Sequence, residues 1–544
     1  MPRPATAPDT TGEELVGPLD RGLTVLRTLA TSPEPRLRPG DLARTTGLAR
    51  ATVDRIVSTL ARLGYVRVDG REVLLAPQLL EVGNAYLTAS SLPAALEPHL
   101  ARLSEDLDEA VSVAVPDQQD VRLLTQRTRP RAVRVSFRIG LPLPADRCSP
   151  GPLFATSWND DDWQAWRESA RLRDLSPAAV ADFEQRVAEA RKTGFAVDDQ
   201  FLEPGLIAVS VPLRDADGRT VCTVNVVSDT SRHTAASLAE HALPRLRADL
   251  PAMTADLGRS PATDPSAAEP RTATWLRDWK DQLGPEFLQS LARGLAVLTA
   301  LRPPGGLTLS AVSEATGLPR ASARRALLSL QQRGYVAPTG DGRRFTLLPR
   351  VLELGYAKLS RLAFEDVVQP HLAELVEQVH DSASVAVLDG DDIRYVARVS
   401  TVRIMSVDLR VGTRLPAYAT AMGRVLLSGL PPAELADRLD RVEPRALTPH
   451  TRTSRAALAD AVADARRDGH ALVEQELEEG LRSIAVPLCD RDNRVIAAVN
   501  VASPIGSRTS AEMRDEVLPA LTAAAHRMAD DLAAVMERGH LTLP

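Results

Sequence analysis

Two helical stretches set long cations beside small residues at positions that face solvent. One, ARATVDR from Ala49, holds Arg50, Thr52 and Arg55. The other, PRASARR from Pro319, holds Arg320, Ser322, Arg324 and Arg325. Small residues let a backbone approach the major groove, hydroxyls reach phosphates, and arginine forks onto guanine edges. Each stretch is followed by a turn with further cations, Arg71 in one case and Arg343 with Arg344 in the other, suited to the phosphate backbone. The chemistry expected of both is recognition of double-stranded DNA. A second chemistry is offered by LPAYATAMGRVLL from Leu415, which reads as a loop entering a helix. Backbone N–H groups at such a helix start make a seat for a carboxylate. Arg482 is a cation that can pair with the same ligand.

The elements around the cations follow from periodicity. Leu23, Val25, Leu26 and Leu29 share one face of a helix over 19–31, with Asp20 placed to cap its start. A short helix over 39–45 and the turn Gly47-Leu48 lead to a third helix over 49–63 that buries Val53, Ile56, Val57 and Leu60. Asp69-Gly70 then signals a tight hairpin. Three helices and a hairpin make a winged helix-turn-helix. The order returns with helices over 291–301, 310–316 and 319–333 and a wing around 339–342. After each wing a further helix is expected, over 79–89 and 351–362, then a helix over 97–107 or 369–379. Alternating strands, helices over 177–193 and 455–469, and a closing helix complete each half. Such a mixture implies an α+β domain large enough to enclose a small ligand.

The halves are copies. Arg21-Gly22 recurs as Arg293-Gly294 after 272 positions, Gly64-Tyr65 as Gly334-Tyr335 after 270, and Gly205-Leu206 as Gly480-Leu481 after 275. A period this long is a duplicated two-domain unit and not a solenoid repeat. The expected fold class is α+β multidomain: a disordered tail over 1–15, a winged helix over 16–90, a first α+β domain over 91–258, a Pro-, Ser- and Ala-rich linker over 259–284, a second winged helix over 285–363 and a second α+β domain over 364–544.

Composition narrows the function classes. Of 544 residues, 44% are hydrophobic and 25% charged, as in an ordinary soluble protein. The net charge of −6 argues against indiscriminate polyanion binding and leaves room for local basic faces. Aromatics at 3% weigh against a base-stacking single-strand binder. No signal peptide or apolar membrane span is expected, and Cys148, Cys222 and Cys489 are too scattered for disulfides or zinc, so a reducing cytoplasm fits. No phosphate-cradling glycine loop, HExxH motif or base partner for Cys148 is evident, so neither an enzyme nor a cofactor or metal is expected. His99 and His371 occupy equivalent helical positions and read as structural, while His450 is a candidate for a pocket rim.

Each half resembles an IclR-type transcriptional regulator, over about 19–258 and 287–536. The resemblance lies in SLARGLAVL, GLPRASARRALLSLQQRGYV, VGTRLPAYATAMGRVLLS and EGLRSIAVPL. In RALTPHTRTS, HALVEQELEEGLRSIAVPL and AVNVAS the second half resembles the branch regulating the β-ketoadipate pathway and related aromatic-acid catabolism. The resemblance implies that each α+β domain is a GAF-like effector-binding domain. In the second copy it implies a lining of Ile404, Val407, Ala421, Met422, Val473, Ser483, Asn500 and Ala502. Val473 stands where relatives often have an acid and Asn500 where they often have serine, which suits an aromatic acid such as protocatechuate better than a small oxoacid. The first copy has Pro150 for Met422, Ile207 for Arg482 and Ala208 for Ser483, and keeps an acid in Asp198 where the second has Val473. The second copy is therefore expected to sense the effector, and the first to be a scaffold or to take another ligand. Two winged helices on one chain imply an intramolecular pseudo-dimer on two unlike half-sites one helical turn, ~10 bp, or a multiple of it apart. Two such chains can also associate. The competing class is an adaptor built on degenerate winged helices, which enriches no genomic DNA.

Overall fold

A computed structural model describes residues 17–129, 137–215, 218–258, 287–401 and 410–536. The expected tail and linker, and the pocket candidates Ile404 and Val407, lie outside these residues. The chain divides into two units, one up to Leu359 and one from Ser360. The first holds both winged helices and the first α+β domain.

In the first winged helix, α1 (Gly17–Thr31), α2 (Pro39–Thr46) and α3 (Arg50–Arg62) precede an antiparallel hairpin of β1 (Val66–Asp69) and β2 (Glu72–Leu75). Leu23, Leu26, Leu42, Val53, Ile56 and Leu60 make its core. Complete burial of such side chains stabilises by about 1.5–3 kcal/mol each. Helix α1 already includes Gly17, so Asp20 lies within it and serves no cap; its carboxylate meets Arg333 at 2.6 Å instead.

Helices α4 (Leu80–Ala89) and α5 (Leu92–Leu107) lead into the first α+β domain. Its strands are β3 (Ala110–Asp117), β4 (Asp120–Arg127), β5 (Pro142–Pro144), β6 (Ala196–Asp199), β7 (Leu206–Arg214) and β8 (Thr220–Asp229). They form one antiparallel sheet in the order β5-β4-β3-β8-β7-β6. Helices α6 (Pro150–Ala155), α7 (Asp160–Leu172), α8 (Pro177–Thr193) and the closing α9 (Ala235–Gly258) complete it.

The second winged helix has α10 (Gln289–Ala300), β9 (Leu307–Thr308), α11 (Leu309–Thr316), α12 (Arg320–Gln332), β10 (Val336–Pro338) and β11 (Arg344–Leu347). Strand β9 joins the wing to make three strands, an addition that a two-residue strand gave no periodicity to reveal. The continuous helix expected over 351–362 is broken. A 3₁₀ turn at Pro349–Leu354 is followed by α13 (Tyr356–Leu359), with Gly355 between them at φ 126°, a backbone that a side chain opposes.

Close contacts join the winged helices. Leu19 packs on Gly294 and Leu291 packs on Gly22, where a Cβ on either glycine would collide with the facing leucine. The Lys358 ammonium donates to the carbonyls of Leu29, Ser32 and Glu34 and so closes the end of α1. The first α+β domain also grips the second winged helix. Arg122, 3% exposed, donates to the Gly140 carbonyl at 2.6 Å, pairs with Asp117 and approaches Glu353 at 3.5 Å. Glu353 in turn accepts from the Tyr335 hydroxyl at 2.7 Å and meets Arg350 at 3.5 Å and Arg27 at 3.7 Å.

The second unit repeats the α+β plan. It consists of α14 (Phe364–Val379), β12 (Ser382–Asp389), β13 (Asp392–Val399), β14 (Arg414–Pro416), α15 (Ala421–Ser428), α16 (Pro432–Arg441), α17 (Arg455–Asp468), β15 (Ala471–Glu474), β16 (Leu481–Cys489), β17 (Val495–Pro504) and α18 (Leu518–Met536). The sheet order β14-β13-β12-β17-β16-β15 matches that of the first copy. The His–Asp pair is duplicated too, His99 to Asp256 at 2.7 Å and His371 to Asp531 at 2.9 Å, tying the first helix of each domain to its last. Among the described residues no helix is long and apolar enough to cross a membrane.

Candidate nucleic-acid interface and effector cavity

Buried and exposed positions alternate cleanly along the two third helices. In α3, Val53, Ile56, Val57 and Leu60 face the core, leaving Arg50, Ala51, Asp54, Arg55 and Ser58 exposed. In α12, Ala323, Ala326, Leu327 and Leu330 face inward, and Arg320, Ala321, Arg324 and Arg325 are exposed. Thr52 and Ser322 are half-buried at matching places. Arg71, Arg343 and Arg344 are exposed on the wings, the Arg344 guanidinium donating to the Gly306 carbonyl at 3.2 Å.

Two details were not foreseen from sequence. Arg38 joins Arg50 and Arg71 around one notch between the start of α2 and the wing. Arg38 has no apolar periodicity of its own, and only the hairpin's return brings it there. Arg50 also donates through Nε to both carboxylate oxygens of Asp54, at 2.9 and 3.2 Å.

The second unit holds a cavity of about 370 Å³ on one face of its sheet. Met422, Val473, Ser483, Asn500 and Ala502 line it. Ala421 does not; it is fully buried in the core with Val425 and Ile393. Helix α15 does begin at the cavity, where Thr420 and Met422 contribute to the wall. The Thr420 hydroxyl caps that helix by accepting from Gly423 N at 3.0 Å.

Arg482 is placed otherwise than expected. Successive strand residues face opposite sides, so Ser483 on the cavity side turns Arg482 away. There it pairs with Glu474 and donates to the Arg508 carbonyl. The Glu474 carboxyl is held below its ordinary range, first by that bond and then by the Ser510 hydroxyl.

Among the described residues, the cation that lines the cavity is Arg398, on β13. Its guanidinium donates to Ser400 Oγ at 2.9 Å and Ser384 Oγ at 3.3 Å. Register places Arg398 opposite Ser384, and Ser384 opposite Asn500, in one row across three strands. The Asn500 amide oxygen is buried with no partner among the described residues. A search from sequence could have reached Arg398 only by carrying the strand alternation of YVARV across to the neighbouring strands.

Two buried acids border the cavity with their charges engaged. Glu476 meets Arg424 at 2.6 Å, with both side chains nearly fully buried. Burial pulls the Arg424 guanidinium below its usual value while Glu476 opposes that change. Asp381 accepts from Ser503 Oγ at 2.6 Å and Arg508 Nε at 3.1 Å.

The first copy is nearly closed at the same place, with a space of about 20 Å³, near the room one water needs. Phe137 and Leu202 pack on Ala110, Leu206, Ala208 and Val227. Gln126 stands in place of Arg398, and its side-chain oxygen accepts from Phe137 N at 3.0 Å. Asn225 is tied to Ser112 Oγ at 3.2 Å. Asp198, 1% exposed, accepts from Phe201 N at 2.8 Å, and burial lifts its pKa to about 6.

Comparison with known proteins agrees with the duplication. The family model for the bacterial transcriptional regulator IclR C-terminal domain matches residues 84–250 and again 356–530. The model for the IclR helix-turn-helix domain matches 18–70 and 290–340. The chain is 44% identical over 250 residues to the Pca regulon regulatory protein of Pseudomonas putida, covering 46% of this chain and 85% of that protein. It is 32% identical over 249 residues to the p-hydroxybenzoate hydroxylase transcriptional activator of Acinetobacter baylyi, covering 45% and 91%. A solved transcriptional regulator of Rhodococcus sp. RHA1 is 48% identical, covering 46% of this chain and 99% of that one with a TM-score of 0.42.

Proposed function

Because this chain belongs to the IclR family of bacterial transcriptional regulators, we propose that it binds DNA under control of a hydroxylated aromatic carboxylate held by its second effector domain. The observation that carries this reading is the cavity of about 370 Å³ in the second copy, set against about 20 Å³ in the first. Arg398 takes the carboxylate, with Ser382 and Ser384 beside it. Asn500 lies two strand spacings away, about 9.5 Å between backbones. A benzoate bearing a ring hydroxyl spans that gap, and the hydroxyl donates to the unpartnered Asn500 oxygen. Tyr395, Met422, Val473, Leu477 and Leu481 offer the ring apolar walls. Protocatechuate has both groups, and the names of two relatives, tied to pca genes and to p-hydroxybenzoate hydroxylase, support the class.

On the DNA side, the winged helices act as an intramolecular pseudo-dimer. Arg50, Thr52 and Arg55 face one half-site, and Arg320, Ser322, Arg324 and Arg325 the other; Arg71, Arg343 and Arg344 hold the backbone. Effector binding shifts the population between arrangements of different DNA affinity.

Calorimetric titration of protocatechuate into the full chain tests the sensing half. One site per chain, weakened at least tenfold in Arg398→Ala, is expected. Two equal sites, or binding indifferent to Arg398→Ala, would overturn the assignment. The DNA half is tested by binding to the region upstream of the protein's own gene, with and without the acid, at fixed salt. Specific binding that the acid shifts is expected.

A further inference from the structure

The exposed faces of the two third helices differ in one charge that their shared fold does not require. Position 54 of α3 is aspartate, and the equivalent position of α12 is Arg324. Both are exposed, one turn beyond Arg50 and Arg320 respectively. Asp54 is the only acid in α3, and α12 has none. Its side chain is 50% exposed and that of Arg50 58%, so the pair sits on the outer surface of the helix.

A carboxylate on a surface meant for polyanionic DNA weakens binding to every sequence. As a plain surface pair, four residues apart on a helix, Arg50–Asp54 changes stability by only about a factor of two. In the major groove a carboxylate finds a favourable partner in the cytosine N4 amino group. Arginine is suited to the guanine O6/N7 edge, and its planar fork loses less freedom when a neighbouring carboxylate holds it.

We propose that Asp54 is a specificity-determining residue of the first winged helix, accepting from a cytosine amino group while it orients Arg50 onto a guanine. The half-site of α3 is then a strict reader of G·C pairs, and α12, with Arg320, Arg324 and Arg325, supplies more of the salt-sensitive attraction. This assignment rests on the reading that both helices enter DNA.

Selection of the full chain on a library of random duplex DNA tests it, with wild type beside Asp54→Ala and Asp54→Asn. Wild type is expected to enrich a site with two unlike halves. Asp54→Ala loses a roughly tenfold preference at one G·C pair in one half only. It also binds random DNA more tightly at low salt, because a repulsive charge is gone. Asp54→Asn moves the preference at that pair toward A·T, since an amide reads adenine. Unchanged preferences in Asp54→Ala, or equal relaxation in both halves, would overturn the proposal while leaving the DNA reading intact. A wild type that enriches no sequence would remove the DNA premise and the proposal with it.

Discussion

The Tyr356 hydroxyl donates to the Asn84 side-chain oxygen at 3.2 Å, and the two residues occupy the same position of the two repeats, 272 apart. A residue that touches its own equivalent lies on a local two-fold axis relating the two winged-helix segments. The reciprocal contacts Leu19–Gly294 and Gly22–Leu291 flank the same axis, each pair being the other after exchange of repeats. The two winged helices thus meet through reciprocal, isologous contacts within one chain.

That interface has no spare room at its glycines. Gly22→Leu is expected to drive a second leucine into Leu291, costing about 1–3 kcal/mol from overpacking. Melting of the first unit should fall by several degrees and DNA affinity should fall with it, because the spacing of α3 and α12 depends on this contact. Unchanged DNA affinity at a lowered melting temperature would separate fold stability from half-site spacing.

Arg122 stands between two carboxylates, Asp117 and Glu353, in a nearly water-free site. Arg122→Ala leaves the buried Asp117 without its guanidinium, while Glu353 keeps Arg350, Arg27 and Tyr335, and a loss of about 3 kcal/mol is expected. Chemical denaturation followed by far-UV circular dichroism measures it. Glu353 also holds Tyr335 at the end of the second reading helix, so this variant should weaken DNA binding without changing effector affinity.

Asp198 gives the first effector domain a pH dependence of definite sign. Its folded pKa, about 6, lies above its ordinary value of 3.8. Between those values the folded chain keeps a proton that the unfolded chain has lost, so stability falls as pH rises through that window. The cost above the window is at most about 3 kcal/mol. Asp198→Asn should therefore stabilise the protein at pH 7.5 and change little at pH 4. Melting curves at the two pH values check this, and an equal gain at both would refute it.

Arg482 and Arg398 should separate in their effects. Arg482→Ala strands Glu474 and opens the Arg508 carbonyl, on the side of the strand away from the cavity. Lower thermal stability with near-normal affinity for protocatechuate is expected. Loss of effector affinity in this variant at unchanged stability would return Arg482 to the ligand.

The sequence by itself determined most of the elements, the duplication and the two amphipathic third helices. Local periodicity acts over a few residues, so Val53, Ile56, Val57 and Leu60 turned inward as their spacing required. The resemblance to the IclR family named Met422, Val473, Ser483, Asn500 and Ala502, and these residues line one cavity. Only the tertiary structure decided which cation faces that cavity. Arg482 and Arg398 are both strand arginines, and the choice depends on sheet register and on whether a carboxylate such as Glu474 claims the charge first. The break at Gly355, the bond from Tyr356 to Asn84 and the Glu353 cluster are also tertiary in origin. Each joins residues hundreds of positions apart or answers to such a contact, and no local pattern encodes a partner at that distance.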